Sequence, residues 1–335
     1  MTKSQLVLKN KNSNDFINPL SLKGIWTLMR AEFFIGLGVS YPNFFGLINR
    51  RMIKINLWHG IGPRSNNSPG LEVDNRLNKI NNTTQRKLIT YINNWDYVLF
   101  SSKQIATTVG RLQFHLPKKK RIIFGFPRCD KLFDKKYLEV SLKKKEISKE
   151  INSRINEKSQ ITLYAPTWRM DLSSSQKLIN DFGNSLINFN ELLKKKNRFL
   201  FISLHINDKN INNSENFSNI NYLPKDDLFC INDIIPEINS LITDYSSIAT
   251  DFLIANRPVA YYLPDYNDYL FNIGLLEDFR ESLPGYEISN YDNLKDFVFS
   301  KGYFKENFTN ERKKYLKRYY DMELNNSNKL LTQFI

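Results

Sequence analysis

The chain has 335 residues, of which 41% are hydrophobic and 13% aromatic, so a disordered protein is excluded and two domains are expected. Lys and Arg number 48 against 34 Asp and Glu, and the net charge of +14 points to an anionic partner: nucleic acid, a phospholipid surface or a phosphorylated substrate. Two cysteines, Cys129 and Cys230, predict neither a disulfide framework nor a cysteine-based zinc site, and favour a reducing cytoplasm.

The N-terminal residues lack the charged-then-apolar pattern of a secretory signal, which predicts a protein that stays inside the cell. The most apolar stretch, residues 32–48, is interrupted by Tyr41-Pro42-Asn43 and is too short to span a bilayer. Two interpretations remain for it: a membrane-facing surface, or a buried segment beside the first strands, which we favour.

Short apolar runs alternate with longer helical stretches, and this rhythm predicts an α/β fold. In chain order the predicted elements are strands at 52–57, 96–100, 121–124, 160–164, 199–204, 240–243 and 259–263, with a helix at 84–93. Residues 134–158 are dense in Lys and Glu, which predicts a domain boundary near 130–158. The predicted domains are an N-terminal domain at 1–135, a linker at 136–158, a C-terminal domain at 159–320 and a tail at 321–335.

The unusual residues follow the predicted strands directly. In open parallel sheets the carboxyl ends of the strands are where ligands bind. We therefore expect two half-molecules facing each other across a cleft, one with a phosphate site and the other with a catalytic group. The segments concerned are Trp58-His59-Gly60, Phe126-Pro127-Arg128, Ala165-Pro166-Thr167-Trp168-Arg169, His205 and Asp244-Tyr245-Ser246-Ser247.

The segment 239–257 has the pattern of a phosphate site. A strand at 240–243 passes through a polar turn into a helix, where Ser246 or Ser247 can cap the helix and leave backbone N–H groups for an anion. The alternative is an ordinary serine-rich helix cap.

Only three histidines occur in the chain. His59 precedes a glycine and is suited to take a proton from an attacking hydroxyl, while His205 ends a strand and is suited to donate to a phosphate oxygen or a leaving group. The alternative for both is a histidine satisfied by a nearby carbonyl group, and we assign His115 to that alternative.

Two arginines extend the predicted anion site, because a guanidinium group binds phosphate in a bidentate manner and stays charged when partly desolvated. Arg169 lies just past Thr167, a hydroxyl donor, and Arg257 precedes the last predicted strand. The alternative for Arg169 is a surface salt bridge. The lysine-rich runs elsewhere are typical of solvated faces.

Taken together and in order, these motifs resemble the CDP-glycerol glycerophosphotransferase family of teichoic-acid primases and polymerases. They are Leu57-Trp58-His59-Gly60, Gly125-Phe126-Pro127-Arg128 with Asp130, Tyr164-Ala165-Pro166-Thr167-Trp168-Arg169, Leu204-His205 and Thr243-Asp244-Tyr245-Ser246-Ser247 with Asp251-Phe252. The later Arg257-Pro258 and Pro284-Gly285 pairs are similar to the family too. Where the family continues its first motif with Thr-Pro-Leu-Lys, this chain has Ile61-Gly62-Pro63-Arg64.

The resemblance implies a GT-B architecture, with two Rossmann-like domains whose parallel sheets face a cleft; the domain at 1–135 would bind the acceptor and the domain at 159–320 the CDP-polyol donor. It implies transfer of glycerol or ribitol phosphate from a CDP-activated donor to a hydroxyl of a lipid-linked or glycan acceptor, with release of CMP. The catalytic residues would be His59 and His205. The donor phosphates would be bound by Thr167, Arg169, Ser246, Ser247 and Asp244, with Arg64, Arg128, Arg257 and Asp251 as possible additions.

This interpretation predicts no metal site and no required cofactor, and it leaves a divalent cation open. The expected partners are the CDP-polyol, the lipid-linked acceptor and an anionic membrane surface at the inner face of the cytoplasmic membrane, without nucleic acid. Two alternatives remain. One is a GT-B glycosyltransferase that uses a nucleotide sugar and releases a nucleoside diphosphate; the other is a basic binding module without catalysis, which explains the charge but not the strand-end histidines.

Overall fold

The computed structural model describes residues 17, 21–37, 48–58, 60, 62, 95–110, 116–133, 154–156, 158–167, 177–204, 217–223, 231–272, 274–275, 279–300, 308–321 and 326–335. The chain divides into two compact units. The first contains residues 1–60, 64–130 and 318–335, and the second contains residues 61–63 and 131–317. The predicted helix at 84–93 lies outside the described residues.

The first unit is built on a parallel four-stranded sheet in the order β1-β2-β3-β4. Its strands are β1 (Phe33–Gly36), β2 (Ile53–Asn56), β3 (Tyr97–Phe100) and β4 (Arg121–Ile123). β1 lies within the apolar stretch 32–48 and pairs with β2, so it lies beside the first strands as predicted, but it is not buried: Ile35 is 44% exposed. Ile55, Leu99 and Ile122 are buried together, one from each of the other three strands.

The last residues of the chain pack onto this first unit, a placement that the sequence analysis did not anticipate. The backbone N–H groups of Ser327 and Asn328 both donate to the carboxylate of Asp130, at 3.0 and 2.8 Å. Because these groups begin a helix at Ser327–Phe334, the carboxylate satisfies N–H groups that have no partner within the helix. The ring of Phe334 packs edge-on against Tyr97 of β3.

The second unit contains a parallel six-stranded sheet in the order β10-β9-β8-β5-β6-β7. Its strands are β5 (Gln160–Tyr164), β6 (Arg198–Ile202), β7 (Ile220–Tyr222), β8 (Ser240–Thr243), β9 (Val259–Tyr262) and β10 (Tyr286–Ile288). Numbered by their appearance in this unit and viewed from β7, they run 3-2-1-4-5-6, which is the doubly wound order of dinucleotide-binding folds. The order reverses between β5 and β8.

Helices connect the strands, as parallel pairing requires. In the described residues they are α1 (Leu22–Arg30), α2 (Lys103–Thr108), α3 (Lys177–Phe182), α4 (Leu186–Lys195), α5 (Ile231–Ile234), α6 (Ile248–Ile254), α7 (Tyr266–Asn272), α8 (Tyr291–Phe299), α9 (Thr309–Tyr319) and α10 (Ser327–Phe334). Short 3-10 turns occur at Lys118–Lys120, Pro127–Phe133, Gly183–Ser185 and Ile235–Glu237.

The α/β prediction is confirmed, and all seven predicted strands are present. The sequence analysis missed β1, β7 and β10. All three are edge strands of three or four residues, and none is buried along its whole length. β7 and β10 carry too few apolar residues to stand out from a loop, whereas β1 lies inside a longer apolar stretch that was not divided into elements.

Gly285 lies just before β10 and is packed against β9. A Cβ atom there would lie 2.1 Å from the backbone carbonyl oxygen of Val259, so the two strands would have to separate. We expect Gly285→Ala to lower the free energy of unfolding by about 3 kcal/mol, the upper end for overpacking a well-packed interior. Thermal unfolding followed by circular dichroism measures this. Gly183→Ala is the matched control, because a Cβ there meets nothing within 4 Å; equal midpoints for both variants would contradict the prediction.

Candidate functional site

The reversal of strand order between β5 and β8 brings two of the predicted motifs together. Beyond the end of β5, the backbone N–H of Thr167 donates to the Asp244 carboxylate at 2.7 Å. The residue before Asp244 makes a second contact between these segments: the Thr243 hydroxyl donates to the carbonyl oxygen of Ala165 at 2.6 Å. In doubly wound sheets ligands bind outside the carboxyl ends of the strands at this reversal. Thr167 and Asp244 therefore lie where the fold places a ligand.

Ser246 and Ser247 belong to the turn that joins β8 to α6. Ser247 is the N-cap residue but its side chain makes no capping hydrogen bond, and the Ser246 Oγ lies 3.5 Å from the N–H of Ile248. Neither serine therefore forms a capping hydrogen bond of normal length. The reason is the backbone: Ser247 is already helical (φ −64°, ψ −15°), whereas a capping side chain normally needs an extended residue.

The side chain of Tyr245, in the same turn, is held by two contacts. Tyr245 is buried and its ring stacks on Tyr269 of α7, with 3.7 Å between the centroids and 15° between the planes. Its hydroxyl donates to Asp265 at 3.3 Å. Because the side chain is held on two sides, the backbone of the Asp244–Ser247 turn has a defined position. The sequence analysis quoted Tyr245 within a motif but gave it no role.

Gly62 is a residue of this site that the sequence analysis missed. Residues 61–63 group with the second unit, and a Cβ at Gly62 would lie 2.9 Å from the carbonyl oxygen of Tyr245 and 3.4 Å from the backbone nitrogen of Ser247. Only a residue without a side chain allows this close approach to the turn from Asp244 to Ser247, which we call the serine turn. The available signal was a second glycine two positions after Gly60.

Two of the possible additional residues do not join Thr167 and the serine turn. Arg257 precedes β9, at the amino ends of the strands, and its guanidinium donates to the carbonyl oxygens of Ile235, Pro236 and Ile238. Burial lowers the pKa of Arg257. Asp251 is buried in α6 and accepts from the Asn232 side chain at 3.0 Å. The position of Arg257 does not support a contact with the donor phosphates. The Asp251 carboxylate is hydrogen-bonded to another side chain of the second unit.

In the first unit, the backbone on either side of His59 is unusual. Trp58 is buried and has a φ of +56°, a left-handed conformation that is uncommon for a bulky residue, and Gly60 has a φ of +129°. The N–H of Trp58 donates to the side chain of buried Asn56 at 2.8 Å, which fixes the turn after β2. Left-handed residues of this kind concentrate at functional sites.

Arg128, also in the first unit, lies over the ring of Phe126, with 4.5 Å between its guanidinium carbon and the ring centroid. Four predicted site residues, His59, Arg64, Arg169 and His205, lie outside the described residues. Within the part of the chain that the structure describes, no group of three or more His, Cys, Asp or Glu side chains is placed to hold a metal ion.

The contact between Thr167 and Asp244 can be tested by Asp244→Ala. Removal of the carboxylate leaves a buried N–H without its acceptor, so we expect a loss of about 1–3 kcal/mol in the free energy of unfolding. It should also raise the KM for the phosphorylated donor, since Thr167 loses its support. Asp251→Ala removes another buried carboxylate of the same unit and is the matched control. A donor KM that rises equally in both variants would show that the effect is general destabilisation.

The fold and the site together define a parallel α/β protein with a doubly wound unit whose polar residues converge at the strand-order reversal. The family model described as CDP-glycerol:poly(glycerophosphate) glycerophosphotransferase matches residues 2–335. The chain therefore belongs to this family.

Curated relatives come from teichoic acid synthesis. The chain is 30% identical over 295 residues to a teichoic acid poly(glycerol phosphate) polymerase of Bacillus spizizenii, covering 81% of this chain and 66% of the relative. It is 25% identical to a teichoic acid glycerol-phosphate transferase of Staphylococcus aureus, covering 84% of this chain and 70% of the relative. It is 26% identical over 193 residues to the S. aureus ribitol-phosphate polymerase TarL, covering 57% of this chain and 33% of the relative. The chain thus spans about two thirds of the length of the B. spizizenii relative.

Among solved structures, a variant of the wall teichoic acid polymerase TagF superimposes with a TM-score of 0.69 at 17% sequence identity, covering 95% of this chain and 75% of that chain. At this level of identity the likeness concerns the fold.

Proposed function

We propose that this protein transfers a polyol phosphate, glycerol or ribitol phosphate, from a CDP-activated donor to a hydroxyl of a lipid-linked or glycan acceptor. The reaction belongs to the synthesis of a teichoic-acid-like or capsular polymer. The observation that carries the proposal is the convergence of Thr167, Asp244 and the serine turn at the strand-order reversal of a chain that belongs to this family.

In the proposed reaction the acceptor oxygen attacks the β-phosphorus of the donor. A new P–O bond forms, the bond from the β-phosphorus to the bridging diphosphate oxygen breaks, and CMP leaves with the electron pair. His59 takes the proton of the acceptor hydroxyl, and His205 donates to the diphosphate or protonates the leaving oxygen. Since the donor is already activated, the chain mainly supplies positioning and charge stabilisation.

The proposed donor site lies on the second unit. Thr167, Ser246 and Ser247 provide hydroxyl groups, Asp244 holds the turn, and Arg169 neutralises the diphosphate. We also propose the GT-B arrangement, in which the two units face a cleft and the first unit presents His59 to the acceptor. No cofactor is required in this mechanism, and a divalent cation is left open.

The proposed location is peripheral, at the inner face of the cytoplasmic membrane. Among the described residues, no helix is long and apolar enough to cross a bilayer.

Ser246→Ala tests the donor site. Loss of a hydrogen bond to a charged phosphate should raise the donor KM about tenfold with little change in stability, because the hydroxyl makes only a long contact in the turn. Steady-state kinetics with varied donor measures this. Ser282→Ala, an exposed serine of the same unit, is the control. An unchanged donor KM would remove Ser246 from the site.

The proposed activity is tested by incubating the purified protein with CDP-glycerol, CDP-ribitol and several nucleotide sugars, with a membrane fraction as the acceptor source. Mass spectrometry should detect CMP together with a polyol-phosphate adduct on the acceptor. Release of a nucleoside diphosphate with a sugar adduct would instead establish a glycosyltransferase and refute the proposal.

A further inference from the structure

Arg128 belongs to the first unit and lies beyond the carboxyl end of β4, in the 3-10 turn Pro127–Phe133. β2, β3 and β4 are parallel, so the segment after β4 lies at the same edge of the sheet as His59, which follows β2. Parallel sheets bind ligands at this edge. The guanidinium carbon of Arg128 lies 4.5 Å from the centroid of the Phe126 ring, and the group keeps its charge there. Arg128 therefore places a permanent positive charge where the first unit is expected to bind a ligand.

The C-terminal segment of the chain, residues 318–335 of the first unit, holds the residues on both sides of Arg128. Before Arg128, the ring of buried Phe126 packs edge-on against Tyr320, with 6.1 Å between the centroids. After Arg128, the buried sulfur of Cys129 and the hydroxyl of Tyr320 form a hydrogen bond of 3.4 Å. One tyrosine of the C-terminal segment thus contacts both neighbours of the arginine.

The start of α10 makes a second set of contacts with the same turn. Besides the two backbone N–H groups that donate to Asp130, the side-chain amide of Asn328 donates to the Asp130 carboxylate at 3.0 Å and to the carbonyl oxygen of Pro127 at 3.2 Å. The C-terminal segment therefore supplies three donors to one carboxylate two residues after Arg128. The backbone that carries Arg128 is fixed on both sides, so its side chain starts from a defined position.

The C-terminal segment is itself anchored at the end of β3, which lies between β2 and β4. The Ser102 hydroxyl donates to the carbonyl oxygen of Arg318 at 2.9 Å, and the N–H of Asp321 donates to the carbonyl oxygen of Ser101 at 2.8 Å. Both serines are buried and follow β3 directly. The support of Arg128 is therefore attached to the same edge of the sheet that the arginine occupies.

We infer that Arg128 binds a phosphate group of the acceptor, and that Tyr320 and Asp130 are positioning residues for it. A guanidinium group on a fixed backbone is suited to bidentate hydrogen bonds with phosphate oxygens. The family resemblance groups Arg128 with possible donor-binding residues, but its place in the first unit, at the edge shared with His59, favours the acceptor. The inference deepens the proposed function and rests on it, because there the first unit presents His59 to the acceptor.

Two parts of an acceptor carry this chemistry: the polyol-phosphate end of a growing polymer and the phosphate of a lipid linkage. Isothermal titration calorimetry with the full chain, without donor, separates them. The probes are a glycerol phosphate trimer and a disaccharide diphosphate with a short prenyl chain, and the unphosphorylated disaccharide is the neutral probe. Arg128→Ala should weaken binding of a phosphate probe about 10- to 100-fold, as expected for loss of charge-assisted hydrogen bonds, and leave the neutral probe unaffected.

Lys119→Ala is the matched control, because it removes an exposed positive charge just before β4, at the opposite edge of the sheet, and should bind the probes like wild type. A loss confined to the trimer identifies the polymer end, and a loss confined to the diphosphate identifies the lipid linkage. Wild type that binds neither phosphate probe would overturn the inference, as would equal binding of both by wild type and Arg128→Ala.

Asp130→Ala tests the positioning role. It should weaken binding of the same phosphate probe about tenfold, yet have no further effect in an Arg128→Ala background, because it acts through Arg128. A merely structural role would lower the affinity equally in both backgrounds. Asn328→Ala, at an exposed residue, removes only the side-chain contacts and should show a smaller loss with the same dependence on Arg128. It decides the question if circular dichroism shows that Asp130→Ala is unfolded.

Failure of this inference and failure of the proposed function give different results. Wild type that binds a phosphate probe through Arg128 but releases no CMP from any donor refutes the proposed function alone. Release of CMP by wild type, together with equal probe binding by wild type and Arg128→Ala, refutes only the assignment of Arg128 to the acceptor.

Discussion

Replacement of His59 by Ala should lower kcat by about 10²–10⁴-fold while the fold stays intact, the range expected for loss of a general base. The residues on either side of His59 have uncommon backbone conformations. Buried Trp58 is held in a left-handed conformation by its hydrogen bond to Asn56, and Gly60 adopts a φ of +129°. Steady-state rates with the CDP-polyol that proves active give the measurement, and the acid limb of the pH–rate profile should disappear in the variant.

His115→Ala provides the control for His59, because the third histidine is assigned to no role and should keep wild-type turnover. His205→Ala should resemble His59→Ala in kcat but retain the acid limb, since its proposed role is to donate rather than to accept a proton. Near-normal rates in both the His59 and the His205 variants would remove these histidines from the mechanism.

Gly62→Ala should lower kcat/KM for the donor about 10- to 100-fold, since small displacements of positioning groups have effects of this size. The added Cβ would lie 2.9 Å from the Tyr245 carbonyl oxygen, which belongs to the turn carrying Ser246 and Ser247. Gly62 does not have a positive φ, so alanine is tolerated by the local backbone and the effect arises from this contact. The turn, whose tyrosine is fixed by Tyr269 and Asp265, has little room to yield.

The control for Gly62→Ala is again Gly183→Ala, where a Cβ meets nothing within 4 Å and donor kinetics should be unchanged. Thermal unfolding should show that the Gly62 variant remains folded at the assay temperature. A Gly62→Ala enzyme with wild-type kcat/KM would mean that the serine turn does not contact the donor.

The serine turn shows how far sequence reasoning reaches into the site. The strand-turn-helix pattern located the turn after β8 correctly, because a short strand with Leu and Ile at its centre, followed by Asp-Tyr-Ser-Ser, is a local signal. Of the two serines predicted to cap the helix, Ser247 makes no capping hydrogen bond and Ser246 accepts from the Ile248 N–H only at 3.5 Å, because capping depends on the φ and ψ of one residue, which composition does not encode. Likewise Arg257 was grouped with the phosphate residues for its charge, but three carbonyl oxygens at the amino ends of the strands accept its hydrogen bonds.

Sequence alone determined the α/β class, the seven strands with strong apolar runs and the motifs that resemble the family, since each depends on residues adjacent in the chain. Only the tertiary structure decided that β5 and β8 are neighbours, which joins Thr167 to Asp244 across 77 positions. It also decided that Gly62 approaches the serine turn, that the last helix returns to the first unit, and that apolar residues of α1 such as Leu22 and Trp26 are exposed. These features depend on contacts between distant segments, and a local pattern of side chains does not specify which segments meet.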